Sequence, residues 1–315
     1  MNRQDPTRRA FLATALTSAA LPLPAQQTAG GRKSAAPFRY CLNTSTIRGQ
    51  KLGIVREIEI AAEAGYDGIE PWIGTLQEYV RDGGSPGDLK KKISDLGLTV
   101  ESAIGFARWI AEDETERTKG LEQARREMEL VKSIGGGRIA APPSGATNGN
   151  RIDLLVAAER YRALLDVGAE VGVVPQLEVW GFSRNLSRLG ESTMVAIESG
   201  HPDACLLPDV YHIRRGGSAF TGLEMLSADA IHCFHLNDYP EVEDHTKLSD
   251  ADRVFPGDGV APVTWILNTL ATNGCRCALS LELFNRDYWQ QDALEVAKRG
   301  LEKMQACVAA ADRQS

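Results

Sequence analysis

Surplus basic charge is missing from this sequence: 35 lysines and arginines face 42 aspartates and glutamates, for a formal net charge of -7. A polyanion partner calls for a basic footprint, so the balance argues against nucleic acid. No CxxC pair occurs among the six cysteines (Cys41, Cys205, Cys233, Cys275, Cys277 and Cys307), and their spacing gives neither a disulfide framework nor a cysteine zinc site. Most read as small buried apolar residues, which leaves Cys275 and Cys307 as the thiols open to oxidation. Long apolar runs are absent too. The stretch after the first residues is short and broken by Pro22 and Pro24, too short for a transmembrane helix.

What is present at the N-terminus is "TRRAFLATALTSAALPLPA". Thr7-Arg8-Arg9-Ala10-Phe11-Leu12 resembles a twin-arginine export signal, and 26–36 reads as a flexible linker. The expectation is a signal peptide and linker over 1–36, a catalytic domain over 37–315, and a periplasmic or extracytoplasmic bacterial protein without stable membrane insertion after cleavage. The twin-arginine route exports folded proteins, which suits a chain that loads a metal before export.

From Pro37 onward, short apolar runs alternate with longer helical patterns. Strands are expected at 38–43, 67–72, 98–103, 138–142, 173–179, 204–209, 231–237 and 277–283. Helices are expected at about 53–65, 86–97, 115–134, 151–171, 190–200, 220–227, 262–273 and 289–311. This alternation predicts an α/β fold with a parallel sheet, and eight units predict a (β/α)8 TIM barrel. The alternative, a doubly wound open sheet, carries a glycine-rich first turn. Here the first turn is "LNTSTIRGQ", and Gly135-Gly136-Gly137 precedes a strand, where it serves to end a helix.

Barrel chemistry sits at the C-terminal strand ends. The last four expected strands each place a ligand-type side chain there: Glu178 in "QLEVW", Asp209 in "LLPDVYH", His235 in "HCFHLND" and Glu282 in "LSLELF". Any one has a plain structural use; Asp209 alone reads as a helix cap. Four at matching positions read as a metal site. Strand parity puts Cys233, His235 and Asn237 on one face and His232 on the other. Three carboxylates and an imidazole suit one divalent ion, with Mn²⁺ or Mg²⁺ favoured by the oxygen-rich set and Co²⁺ or Zn²⁺ also suited.

These four residues resemble the metal quartet of the xylose isomerase-like sugar isomerase/epimerase superfamily. Asp209-Val210-Tyr211-His212 is similar to its aspartate-then-histidine pattern, "FPGDG" at 255–259 to the turn before its seventh helix, and "SLELFN" at 280–285 to its eighth strand. The resemblance spans about 37–310. It implies a small-molecule sugar substrate and isomerisation or epimerisation through an enediolate, with Glu178 and Glu282 as ligands and acid/base and His212 on a substrate oxygen. One departure stands out. Ketose 3-epimerases of this group carry arginine six residues after the metal histidine, where this chain has Glu241. Arg253, in the long insertion at 238–260, is the expected replacement at the substrate. Glu70 and Glu101 are candidates for sugar hydroxyls. Trp72, Trp109, Trp180, Tyr211 and Trp289 are candidates for stacking on sugar C–H faces, Trp72 and Trp180 foremost. The same enolate could expel a β-substituent, as in the related inosose dehydratases, so a keto-sugar lyase is the alternative, followed by a non-catalytic sugar-binding barrel. Five histidines are too few for the multi-metal nuclease sites built on this fold. Barrels of this kind often pair, so a homo-oligomer is expected.

Overall fold

A computed structural model describes residues 38–313; the expected signal peptide and linker lie outside the described residues. Eight parallel strands form the barrel wall: β1 (Arg39–Asn43), β2 (Gly68–Glu70), β3 (Thr99–Val100), β4 (Arg138–Ala141), β5 (Val174–Glu178), β6 (Leu206–Leu207), β7 (Cys233–Leu236) and β8 (Ala278–Leu281). The ladders run β3-β2-β1-β8-β7 and β4-β5-β6. Two joints close the ring. The Ala140 N–H donates to the Ala103 carbonyl (2.8 Å), and parallel bridges link Leu206 to Ile231 and Asp209 to His235. All eight strands lie inside the stretches expected from the sequence, though shorter. Pro71, Pro142 and Pro208 directly follow β2, β4 and β6. Proline has no N–H for the ladder, so each strand stops there and the chain turns into its loop.

The helical layer comprises α1 (Ile54–Ala64), α2 (Ile73–Arg81), α3 (Pro86–Asp95), α4 (Glu114–Ser133), α5 (Leu154–Val171), α6 (Leu189–Glu198), α7 (Val210–Arg215), α8 (Val263–Thr272) and α9 (Ala293–Asp312). Aspartates start several of them: Asp113, Asp153, Asp209 and Asp292 each accept a backbone N–H from the first turn, the favoured N-cap arrangement. Gly135 ends α4 at φ 93°, as the glycine run suggested. Two helices were not expected, α2 and α7. Conversely, the stretch expected as a helix at 220–227 is a 3₁₀ segment, Phe220–Met225. Among the described residues, no helix is long and apolar enough to cross a membrane.

Alternate strand positions point inward. Cys41, Ile104, Ala140, Leu207, Cys233 and Ala278 make an apolar plug in the barrel. The same parity carries Asn43, Glu70, Glu178, Asp209, His235, Ser280 and Glu282 toward its interior and mouth, all of them buried. His232 is half-buried on the opposite face, as expected. None of the six cysteines is disulfide-bonded. Cys275 proves fully buried, so Cys307, half-buried, is the more accessible of the two watched thiols.

The insertion at 238–260 is tied down by one acid. Asp238 pairs with Val254 in an antiparallel bridge (2.9 and 3.0 Å). Its carboxylate accepts the N–H groups of Tyr239 (2.8 Å), Gly257 (3.0 Å), Gly259 (3.0 Å) and Ala261 (2.8 Å). This returns the loop across the barrel mouth with Arg253 pointing in. Hydrogen bonds to a charged group contribute about 1.5–3 kcal/mol each and leave costly orphans when broken. Asp238→Ala should therefore destabilise the protein by at least about 2 kcal/mol; an unchanged midpoint in a urea titration would show that the loop does not depend on this carboxylate.

Candidate metal centre and active site

Glu178, His235 and Glu282 present ligand atoms within 4.8 Å of one another, all buried. They come from the ends of β5, β7 and β8, which the barrel closure brings to one mouth. Two facts mark the space between them as a cation site. Glu178 Oε2 is buried with no hydrogen-bond partner, and His235 Nδ1 makes no well-aligned hydrogen bond although Glu282 Oε2 lies 3.1 Å away; buried polar atoms are normally satisfied. The donor set, two carboxylates and an imidazole nitrogen, is one that a divalent ion takes.

Asp209, the fourth expected ligand, stands at the edge of this set. Its Oδ2 lies 3.5 Å from His235 Nδ1, but its oxygens already have donors. Oδ1 caps α7 by accepting the His212 N–H (2.9 Å), Asn237 Nδ2 reaches both oxygens (3.2 Å each), and Arg253 donates to Oδ2 (2.8 Å). The strand-end aspartate thus serves as the helix cap and also sits beside the imidazole. Burial opposes its ionisation, but Arg253 and the neighbouring histidines hold its carboxyl well below the usual carboxylate range.

Glu70 corrects an expectation. It does not line the pocket for a sugar hydroxyl. It lies fully buried behind His235, with Oε2 3.1 Å from Nε2. Ser280 Oγ (2.6 Å) and Asn43 Nδ2 (2.9 Å) donate to the same oxygen. A carboxylate on the far nitrogen fixes the ring's orientation and leaves Nδ1 as the ligand face. Burial would lower the His235 pKa, but Glu282 and Glu70 outweigh it and raise it well above the usual range. Glu101 also misses the pocket, because it forms an ion pair with Arg39 (2.6 Å).

Arg253 does enter the mouth. It is 1% exposed and donates from Nη1 to Asp209 (2.8 Å) and Glu282 (2.7 Å), and from Nη2 to Asp250 (2.6 Å). Its guanidinium stacks 4.3 Å from the Tyr211 ring centroid and 5.0 Å from that of Phe284. Glu241, six residues after His235, is exposed instead. His212 lies against Arg253. Its Nδ1 faces the Gly181 N–H (3.3 Å), and its Nε2 lies 3.2 Å from Arg253 Nη2, a group that can only donate. Burial is the main force pushing the His212 pKa down, to about 4, so the ring is neutral near pH 7. Glu178 goes the other way: burial first, then Glu282, Asp209 and Glu70, raise its pKa well above the usual range against the pull of His235.

Above these groups lies a cavity of about 130 Å³, lined by Glu178, His212, Arg253, Glu282 and a ring of aromatic side chains. Trp72 and Trp180 both line it; Trp109 is buried in the core, where Nε1 donates to the Pro142 carbonyl (2.7 Å). Phe106, Phe182 and Phe284 join the ring, with centroids 4.9–6.0 Å from Trp72 or Trp180. The sequence reading missed these phenylalanines, as it missed Asp238 and Asp250. Phe182 and Phe284 sit four and two residues past Glu178 and Glu282, which is the available signal.

Two outcomes follow. Glu70→Gln should weaken Mn²⁺ or Zn²⁺ binding about 10–100-fold, the usual effect of losing such a supporting partner; titration calorimetry giving the parent Kd would remove Glu70 from that role. Glu178 must shed its proton to ligate, so metal binding should release protons and tighten as pH rises. Calorimetry in buffers of different ionisation enthalpy measures this, and zero proton release would contradict the raised Glu178 pKa.

Comparison with known proteins agrees with this geometry. The chain is 25% identical over 272 residues to inosose isomerase of Halalkalibacterium halodurans, covering 83% of this chain and 93% of that protein. It is 25% identical over 230 residues to 3-dehydroshikimate dehydratase of Pseudomonas aeruginosa, covering 73% of this chain but 36% of that longer protein. Among solved structures, the IOLI protein with a bound zinc atom superposes with a TM-score of 0.80 at 22% identity, covering 86% of this chain and 98% of that one. An L-ribulose 3-epimerase superposes with a TM-score of 0.68 at 17% identity, covering 88% and 96%. Residues 58–307 match the family model for the xylose isomerase-like TIM barrel, and the chain belongs to that family.

Proposed function

We propose that the protein is a divalent-metal-dependent sugar isomerase or epimerase that works through an enediolate. The observation that carries this reading is the convergence of Glu178, His235 and Glu282 under an aromatic-walled cavity, with Glu178 Oε2 buried and unpartnered. A divalent ion held by these three residues, with Asp209 beside them, would supply Lewis acidity toward a carbonyl oxygen. The chain's own groups do the rest. Trp72 and Trp180 stack on the sugar's C–H face and exclude water. The Arg253 guanidinium, with His212 beside it, offers donors to a substrate oxygen that gains negative charge. Glu178, with its raised pKa and free Oε2, exchanges the proton on the carbon beside the carbonyl. Glu282 is held more firmly, with Arg253 on Oε2 and Asn43 Nδ2 3.3 Å from Oε1, which suits a ligand that stays charged. The dehydratase relative supports a second reading, in which the same enolate expels a β-hydroxyl.

The test is isotope exchange. The Mn²⁺-loaded protein, incubated in D₂O with free ketoses, aldoses and keto-sugars, should place deuterium on a carbon next to the carbonyl. The products then sort isomerase from epimerase from dehydratase. Glu178→Gln should lower the exchange rate by about 10²–10⁴, the usual worth of a positioned acid/base. Near-parental exchange by this variant, with metal content verified, would take Glu178 out of the proton transfer.

A further inference from the structure

A second and larger cavity, about 740 Å³, opens beside the metal pocket. It lies between the Thr44–Gln50 segment with the start of α1 and helix α2. Trp72 lines both cavities. Arg48, which lines the larger one, sits 4.4 Å from the Trp72 ring centroid, while Phe106 and Phe284 of the metal pocket pack against the same residue. Since β2 ends just before Trp72, both openings share the C-terminal face of the barrel.

Size separates the two. Sites for small ligands usually measure about 300–1,000 Å³. The metal pocket, at about 130 Å³, falls short, and the neighbouring groove, at about 740 Å³, falls inside that range. The groove also holds an unspent polar group. Glu57 on α1 lines it, is 4% exposed, and its Oε2 has no hydrogen-bond partner. Burial pushes its pKa up to about 7, with Arg48 pulling the other way. A buried carboxyl without a donor is costly unless a ligand supplies one. The charged side chains along the groove are mixed: Arg48 and Lys51 face Glu57, Glu78 and Asp82. No cationic cluster is present to favour a phosphate or carboxylate.

We propose that this groove is a second binding subsite, for a neutral, polyhydroxylated ring covalently joined to the ring that reacts at the metal, so that the substrate is a two-ring glycoside rather than a free monosaccharide. This rests on the reading that the reacting sugar occupies the metal pocket. Trp72 is then the shared wall, stacking one ring, while Glu57 takes a hydroxyl of the other.

Gly74 gives a clean test. It lines the groove, and a Cβ added there meets no atom within 4 Å, so Gly74→Trp fills the groove without touching the metal pocket. Binding of fructose and of three glycosyl-fructoses (turanose, maltulose and isomaltulose) to the Mn²⁺-loaded full chain is measured by calorimetry and saturation-transfer NMR. At least one disaccharide should bind tenfold or more tightly than fructose. Gly74→Trp should erase that advantage and leave the fructose Kd unchanged, and Glu57→Leu should reduce it severalfold. No disaccharide binding more tightly than fructose, or an advantage that survives Gly74→Trp, overturns the subsite. Deuterium exchange on the same samples reads the catalytic proposal separately. Its failure with every sugar would sink the isomerase reading, while the Gly74-dependent change in Kd would still decide the groove.

Discussion

Everything at the mouth of this barrel depends on holding buried negative charge. Glu70, Glu178, Asp209 and Glu282 are all nearly inaccessible, and Asp250 adds a half-buried fifth carboxylate. Isolated buried charges cost many kcal/mol, so each needs a cation or hydrogen-bond donors. The chain offers one permanent positive group among them, the Arg253 guanidinium; the His235 imidazole, which its neighbours hold toward the protonated form, sheds that proton to ligate a metal. The local count therefore stays negative, and a divalent ion offsets the remainder. The same electrostatics that make the site a metal centre also raise the Glu178 pKa.

Arg253 shows how that balance is built from distant sequence. It does not come from a strand. It reaches the centre because Asp238 gathers four backbone N–H groups and folds the insertion back over the barrel. Stacking on Tyr211 and Phe284 then fixes the plane of the guanidinium. Its fork bridges Asp209 and Glu282 from Nη1 and reaches Asp250 from Nη2, which a single ammonium nitrogen could not do with the same geometry. An arginine six residues past His235 would have begun from the first part of this loop, where Glu241 now faces solvent.

The strands and most helices were legible because their apolar periods are regular and their ends carry aspartate, proline and glycine. The short helices α2 and α7 escaped notice because each is a brief excursion directly after a strand, and α7 begins on an aspartate that also draws attention as a ligand. The convergence of Glu178, His235 and Glu282 follows from barrel topology and strand parity, both readable in advance. The placement of Glu70 does not. One inward position on β2 looks the same in sequence whether it reaches up to a ligand or across to the far side of an imidazole. Only the pairing of β2 with β1 and of β1 with β8, with Asn43 and Ser280 on the same oxygen, decides between them.

That distribution of partners also separates the acids by task. Glu70 is saturated by His235, Ser280 and Asn43. Asp209 is engaged by a helix N-terminus, an amide and a guanidinium. Glu282 shares that guanidinium. No donor reaches Glu178 Oε2, although it is as deeply buried as the others. An acid fixed by several charge-assisted hydrogen bonds is a good ligand and a poor proton carrier, because taking up a proton would break those bonds. An acid left free beside them, in the same low-dielectric pocket, can gain and lose a proton at modest cost. The fold thus spends its donors on the residues that must stay charged and withholds them from Glu178, the one positioned to move a proton.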